Sequence, residues 1–345
     1  MSETMNAIGY YKGLPLEDVA ALQDVSIAKP VASGHDILVA VKATSVNPVD
    51  VKIRVSAKAS QTPQVIGWDA VGVVTEVGEE VRKFKVGDRV YYSGAFKRQG
   101  SNAAFQLVDE RLVSLAPEKL SDAQAAAMPL TALTAYELLF EKKGLTPREN
   151  AETGKSILII NGAGGVGSIA IQLAKWLGMT VIATASRPET IAQSQKMGAD
   201  FVVNHREDYV AAVRALGFKF VDDIVILHST EKHFLPAADL IAPFGHIASI
   251  VETDESLPMT AIKNKSVSFD WEFMFAKANY DYQIETQGEA LQVLADLFDA
   301  GKLVSTLTKT YDGINAKNLR QAHADIEADA MVGKVVLMGD FDAEI

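Results

Sequence analysis

The stretch ILIINGAGGVGSIAIQLAKWLG, Ile157–Gly178, carries the strongest local signal in the chain. Its first four residues are apolar and read as a buried strand. Gly162, Gly164 and Gly167 then satisfy G-x-G-x-x-G, and an amphipathic helix follows. Each glycine answers a separate steric demand. Gly162 permits a tight turn, Gly164 lets backbone approach a pyrophosphate, and Gly167 lets the helix pack on the strand. Free N–H groups and partial positive charge at the helix N-terminus complete an anion seat. The pattern predicts dinucleotide binding by Gly162, Ala163, Gly164, Gly165, Val166 and Gly167. A glycine-rich turn in another α/β fold is the alternative reading.

The surroundings favour the dinucleotide. From Ser156 onward, strands and helices alternate. The predicted strands are 157–161, 180–184, 201–203, 223–227 and 245–250, with helices such as 166–177 and 188–197 between them. That rhythm predicts a parallel sheet covered on both faces. Ser266 to Phe275 is expected to be a last strand, with Phe269, Trp271, Phe273 and Phe275 on one face. Upstream, short β-like runs at 37–43, 70–77 and 88–92 are separated by Gly78 and Gly87, which predicts a compact β-rich domain. Ser121 caps a predicted helix that Pro129 interrupts, and 131–142 reads as another. The last elements break the βαβ rhythm and are assigned back to the first domain. The expected division is 1–130 with 279–345, and 131–278.

Bulk composition agrees with two such domains. The chain has 345 residues, of which 48% are hydrophobic, enough to fill two cores. Lys and Arg number 33 against 44 Asp and Glu, a net charge of −11, which disfavours nucleic acid as a partner. With no cysteine, disulfides and thiolate metal sites are impossible. No basic-then-apolar leader is visible and no window approaches a membrane span, so a cytoplasmic protein is expected.

The strand TVIAT (180–184) should end beside the adenosine ribose. A carboxylate there would favour NAD, but the chain continues Ala185-Ser186-Arg187. Arg187 is a cation suited to a 2′-phosphate, and Ser186 can donate to one. NADPH is therefore the expected cofactor. The alternative is a solvated Arg that starts the next helix.

In order along the chain stand SVNPVDVKIR (45–54), VIGWDAVGVVTEVG (65–78), VGDRV (86–90), AAAMPLTALTAYELL (125–139), NGAGGVGSIAIQLAK (161–175), TASRPE (184–189) and WEFMF (271–275). Together these resemble the medium-chain dehydrogenase/reductases, in the quinone oxidoreductase branch, and more closely bacterial proteins called zinc-type alcohol dehydrogenase-like. The resemblance runs over essentially the whole chain. It implies a doubly wound Rossmann sheet plus a β-rich GroES-like catalytic domain, and a homodimer with its interface near Trp271 to Phe275. It places Thr134 near the nicotinamide. His205 and His228 complete the expected cofactor set.

The resemblance also puts the catalytic zinc ligands of the family's metal-dependent members at Asn47, Trp68 and near Leu130. Indole and leucine cannot bind zinc, and asparagine is a poor ligand. Asp50 and Asp69 do not make a site between them, and the six histidines show no H-E-x-x-H spacing. Asp69 is expected to be a buried acid paired with a cation, an arginine being one candidate. Trp68 is either filler for the vacated metal volume or a wall for a planar substrate.

Without a metal, quinones and α,β-unsaturated carbonyls are the natural hydride acceptors, because the added charge is delocalised onto one oxygen. Asn47 could donate to it, or merely shape the Asn-Pro turn. Tyr92 is another candidate donor, or a half-buried strand residue. The catalytic candidates are thus Asn47, Asp50, Trp68 and Tyr92. Two further readings stay open: a zinc alcohol dehydrogenase with atypical ligands, and an NADPH-binding sensor or structural protein without turnover.

Overall fold

The computed structural model describes residues 3–341. They divide into two compact units. One runs to Leu130 and resumes at Phe275, and the other is Thr131–Met274.

The second unit is built on six strands: Ser156–Ile160, Thr180–Thr184, Phe201–Val203, Val221–Ile226, Ile241–Ser249 and Ser268–Trp271. Across the sheet they stand in the order third, second, first, fourth, fifth, sixth, and every pairing is parallel. Ile157–Ile160 are fully buried because helices cover both faces, so the strand reads as a continuous apolar run rather than an alternation. The strand order reverses beside the first strand, and the glycine loop leaves from its carboxyl end. In sheets of this type ligands bind at that point.

The last strand departs from expectation. It covers only Ser268–Trp271. Phe269 and Trp271 do share a face, with ring centroids 5.2 Å apart. The chain then leaves the sheet through Glu272, whose side chain is buried. Phe273 is half exposed and Phe275 is buried in the other unit. Apolar alternation continued past the point where a buried acid ends the strand.

Two helical expectations also change. Pro129 does not interrupt a helix but opens the next, Pro129–Tyr136, where its missing N–H costs nothing. That helix does not run unbroken to Lys142. It widens over Glu137–Lys142 into a π-turn, closed by Lys143 N–H donating to the Leu138 carbonyl at 3.2 Å.

In the first unit, a sheet joins Leu307–Ile314, Lys334–Phe341, Asp36–Val46, Asp69–Val77, Arg89–Tyr92 and Val113–Leu115, with Phe105–Asp109 also pairing to Asp36–Val46. Alternate residues Ile37, Val39 and Val41 face a core shared with Val74, Val90, Tyr92 and Val108. The register of Asp36–Val46 against Asp69–Val77 shifts twice, at Leu38/Val39 and Val41/Ala43. Such irregularities re-aim the residues beyond them. Among the described residues no helix is long and apolar enough to cross a membrane.

Candidate active site

Three strand ends converge in the first unit. Ser45 pairs with Asp69, and Val46 pairs with Val335. Asn47, Asp69 and Lys334 therefore lie side by side, each almost fully buried. Asn47 Nδ2 donates to Asp69 Oδ2 at 2.8 Å. Lys334 Nζ donates to Asp69 Oδ2 at 3.2 Å, to the Val46 carbonyl at 3.1 Å and to Asn47 Oδ1. An ammonium has three N–H bonds, so all of its donors are used. Asp69 Oδ1 accepts the Leu130 N–H at 2.6 Å. The expected buried acid is there, but its cation is a lysine that the sequence reading did not single out. Its only signal is a charged residue opening the apolar run KVVLM.

Asp50 completes the group. Asn47 caps the helix Pro48–Ser56, and Asp50 Oδ2 accepts the Asn47 backbone N–H at 2.8 Å. Burial pushes the Asp50 carboxyl up to about 7, outweighing the downward pull of the Asn47 N–H and Lys334, and nearby Asp69 adds to the rise.

Trp68 immediately precedes Asp69. Its ring stacks on Phe96 at 5.5 Å with planes 14° apart, and meets Phe275 edge-on at 5.7 Å. Phe96 and Phe275 are themselves 5.3 Å apart. Phe96 was not picked out from sequence, and Phe275 was expected on the last strand and at a dimer interface; only folding brings the two rings to Trp68. Gly67 holds φ +104°, and a Cβ there would stand 2.6 Å from Ser101 Oγ, so only glycine delivers Trp68 to this position. Tyr92 is fully buried rather than half-buried. It sits in the apolar core, and burial pushes its hydroxyl up.

These residues do not fit a zinc ion. Of the three positions at issue, Trp68 and Leu130 offer no ligand atom, and the Asn47 amide is engaged by Asp69 and Lys334. No group of three or more His, Cys, Asp or Glu among the described residues could hold a metal.

The second unit presents the glycine loop. Helix Gly165–Trp176 starts from Gly164, and Asn161 takes φ +69° at the turn. A Cβ on Gly162 would lie 2.8 Å from Ala183 Cβ, and one on Gly167 2.5 Å from the Asn161 carbonyl oxygen. A Cβ on Gly164 would meet nothing closer than 3.6 Å, so that face of the loop is open. Ala163 is buried, whereas Gly165 and Val166 are partly exposed. Thr184 Oγ1, at the end of the neighbouring strand, accepts the Asn161 N–H at 3.0 Å and bonds His205 Nδ1 at 3.0 Å.

Ser186 and Arg187 follow that strand. Arg187 opens helix Pro188–Lys196 and pairs with Glu189 at 3.0 Å. Burial, Lys232, Arg206 and His228 all lower the His205 pKa. His228 Nδ1 bonds Ser229 Oγ at 2.7 Å. Thr134 is buried in Pro129–Tyr136.

Residues 33–116 match the Alcohol dehydrogenase GroES-like domain family, and residues 165–290 match the Zinc-binding dehydrogenase family. A zinc-type alcohol dehydrogenase-like protein of Staphylococcus aureus is 42% identical over 334 residues, covering 96% of this chain and 99% of its own. An NADPH-dependent alkenal/one oxidoreductase of Arabidopsis thaliana is 37% identical over 203 residues, 56% of this chain and 50% of its own. A crystal structure of a putative zinc-dependent alcohol dehydrogenase from Rhizobium etli superposes with a TM-score of 0.93 at 43% identity, covering 98% of this chain and 99% of its own. The Escherichia coli quinone oxidoreductase solved with NADPH gives 0.78 at 25% identity, covering 97% and 100%. The parallel sheet, the β-rich unit and these matches agree: the chain is an oxidoreductase of the medium-chain dehydrogenase/reductase superfamily.

Proposed function

We propose that this chain is an NADPH-dependent reductase of quinones or α,β-unsaturated carbonyls that works without zinc. The observation that carries the reading is the Asn47–Asp69–Lys334 cluster beside Trp68. An asparagine held by a buried ammonium, and an indole, stand at two positions where the resemblance puts a zinc ligand. Names of relatives support the substrate class, since one is an NADPH-dependent alkenal/one oxidoreductase and another a quinone oxidoreductase solved with NADPH.

A bound nicotinamide would supply the hydride. The glycine loop and the N-terminus of helix Gly165–Trp176 would hold the pyrophosphate, with Ser186 and Arg187 toward a 2′-phosphate and His205 and His228 nearby. The acceptor needs little from the protein: alignment, a hydrogen bond to the oxygen that gains charge, and a proton that water can deliver. Asn47 would act by position, holding Asp69 and hence Trp68, while Asp50 fixes the Asn47 backbone.

We further propose a homodimer through the edge strand Ser268–Trp271, supported by the exposed rings of Trp271 and Phe273. A monomer mass at micromolar concentration would count against it.

The test of function is NADPH oxidation by chelator-treated protein with a panel of quinones and enones. Turnover undiminished by the chelator is expected. Turnover only after zinc is restored, or only with simple alcohols and aldehydes, would overturn the reading.

A further inference from the structure

The indole N–H of Trp68 is buried and has no hydrogen-bond acceptor among the described residues. A buried donor left unpaired is unfavourable, which makes this N–H available to an acceptor that a ligand would bring. Trp68 and Phe96 line a groove of about 640 Å³ whose apolar wall includes Ile53, Pro63, Val65 and Ile66. This is an ordinary size and lining for a small-molecule site. Beside Cδ1, the ring atom bonded to Nε1, lies Gly94 at φ +49°. A Cβ there would be 3.9 Å from Cδ1 and 3.3 Å from the Gln106 side-chain amide nitrogen, so glycine and the Gln106 amide flank this edge of the indole.

The ring is also held firmly. Phe96 stacks on one face and Phe275 abuts it. The next residue, Asp69, is tied by Asn47, Lys334 and the Leu130 N–H. A fixed donor needs little reorganisation when charge develops on its acceptor.

We propose that Trp68 Nε1–H donates a hydrogen bond to the carbonyl oxygen of the acceptor, and that Trp68, Phe96 and Phe275 form an aromatic seat for a planar enone or quinone. The inference rests on the reductase reading above. The indole keeps its proton throughout. It stabilises the oxygen that becomes negative as hydride adds to carbon, and water supplies the proton that completes reduction.

The probe is 2-cyclohexen-1-one, titrated into the full-length protein without NADPH, with cyclohexene as the ring lacking oxygen. The chain has three tryptophans, so a ¹H–¹⁵N spectrum holds three indole signals, and Trp68→Phe assigns one. The Trp68 signal is expected to move downfield with the enone and not with cyclohexene, while those of Trp176 and Trp271 stay. In turnover, Trp68→Phe should lower kcat/KM for the enone about 10- to 100-fold, with NADPH affinity within twofold of wild type.

An unmoved Trp68 signal at saturating enone would overturn the proposal, and would mean the N–H is held by solvent or by the equally unpartnered Gln106 Oε1. Wild-type kcat/KM in Trp68→Phe would also overturn it. A wild-type protein that reduces neither quinones nor enones would sink the reductase reading instead, and the indole titration would still decide the donor.

Discussion

Lys334 Nζ lies 3.2 Å from Asp69 Oδ2, and both side chains are almost wholly removed from solvent. The two residues stand 265 positions apart in the chain, at the starts of two strands that flank Asp36–Val46. A buried ion pair adds little net stability when intact, yet breaking it leaves an uncompensated charge. Lys334→Met should therefore destabilise the protein by about 3–5 kcal/mol in urea unfolding. Asp69→Asn in the same background should recover part of that loss. Single losses that simply add in a double-mutant cycle would mean that the pair is not coupled.

Asp50 gives a pH dependence whose sign follows from its raised pKa. The folded carboxyl holds its proton to about pH 7, against an ordinary value of 3.8. Between those values the folded state binds more protons than the unfolded one, so this group's contribution to stability is full below 3.8 and is lost as pH rises through 7. Asp50→Asn keeps an acceptor for the Asn47 N–H and removes the titration. Its stability relative to wild type should climb between pH 4 and pH 7 by roughly 1.4 kcal/mol per unit at the steepest, then level off. A constant difference across that range would show that Asp50 titrates as an ordinary carboxyl.

The glycine loop separates folding from binding. Gly167→Ala would set a Cβ 2.5 Å from the Asn161 carbonyl oxygen, so backbone must shift, and a loss of roughly 1–3 kcal/mol in stability is expected. Gly164→Ala meets only ordinary contacts at 3.6 and 3.8 Å. That variant should melt like wild type but bind NADPH at least about tenfold more weakly, because its methyl occupies the open face of the loop. Unchanged affinity in a folded Gly164→Ala would move the pyrophosphate away from this turn.

These contrasts also explain what the sequence could and could not disclose. The glycine loop lies in one contiguous strand-turn-helix segment, so its pattern is legible locally. The order of the six strands adds the reversal beside that loop. The aromatic seat had no such local signature. Trp68 stood out only as the residue in place of a metal ligand, while Phe96 and Phe275 reach it through folding alone. Lys334 was hidden because a lysine at the edge of an apolar run is more often solvated than buried. Alternation at 266–275 overran the strand because hydrophobic period does not register where a buried acid such as Glu272 turns the chain away. The π-turn at Glu137–Lys142 leaves no mark in a pattern that still reads as helix.

Cofactor choice should turn on Arg187 and its neighbour. The guanidinium sits just past the strand that ends at Thr184 and pairs with Glu189 at 3.0 Å, with the Arg187 side chain 29% and the Glu189 side chain 56% exposed. A surface pair of this kind is weak and easily exchanged for a phosphate, which offers more charge and more acceptors. Arg187→Ala should raise the Kd for NADPH about 10- to 100-fold and leave that for NADH unchanged, since only the former carries the 2′-phosphate. Glu189→Gln releases the guanidinium from its competitor and should tighten NADPH severalfold. Both effects should shrink as salt rises, because the partners are only partly shielded from solvent. Equal losses for both cofactors would place Arg187 at the pyrophosphate or in the fold, and no loss for either would return it to the solvated helix start that its position also allows.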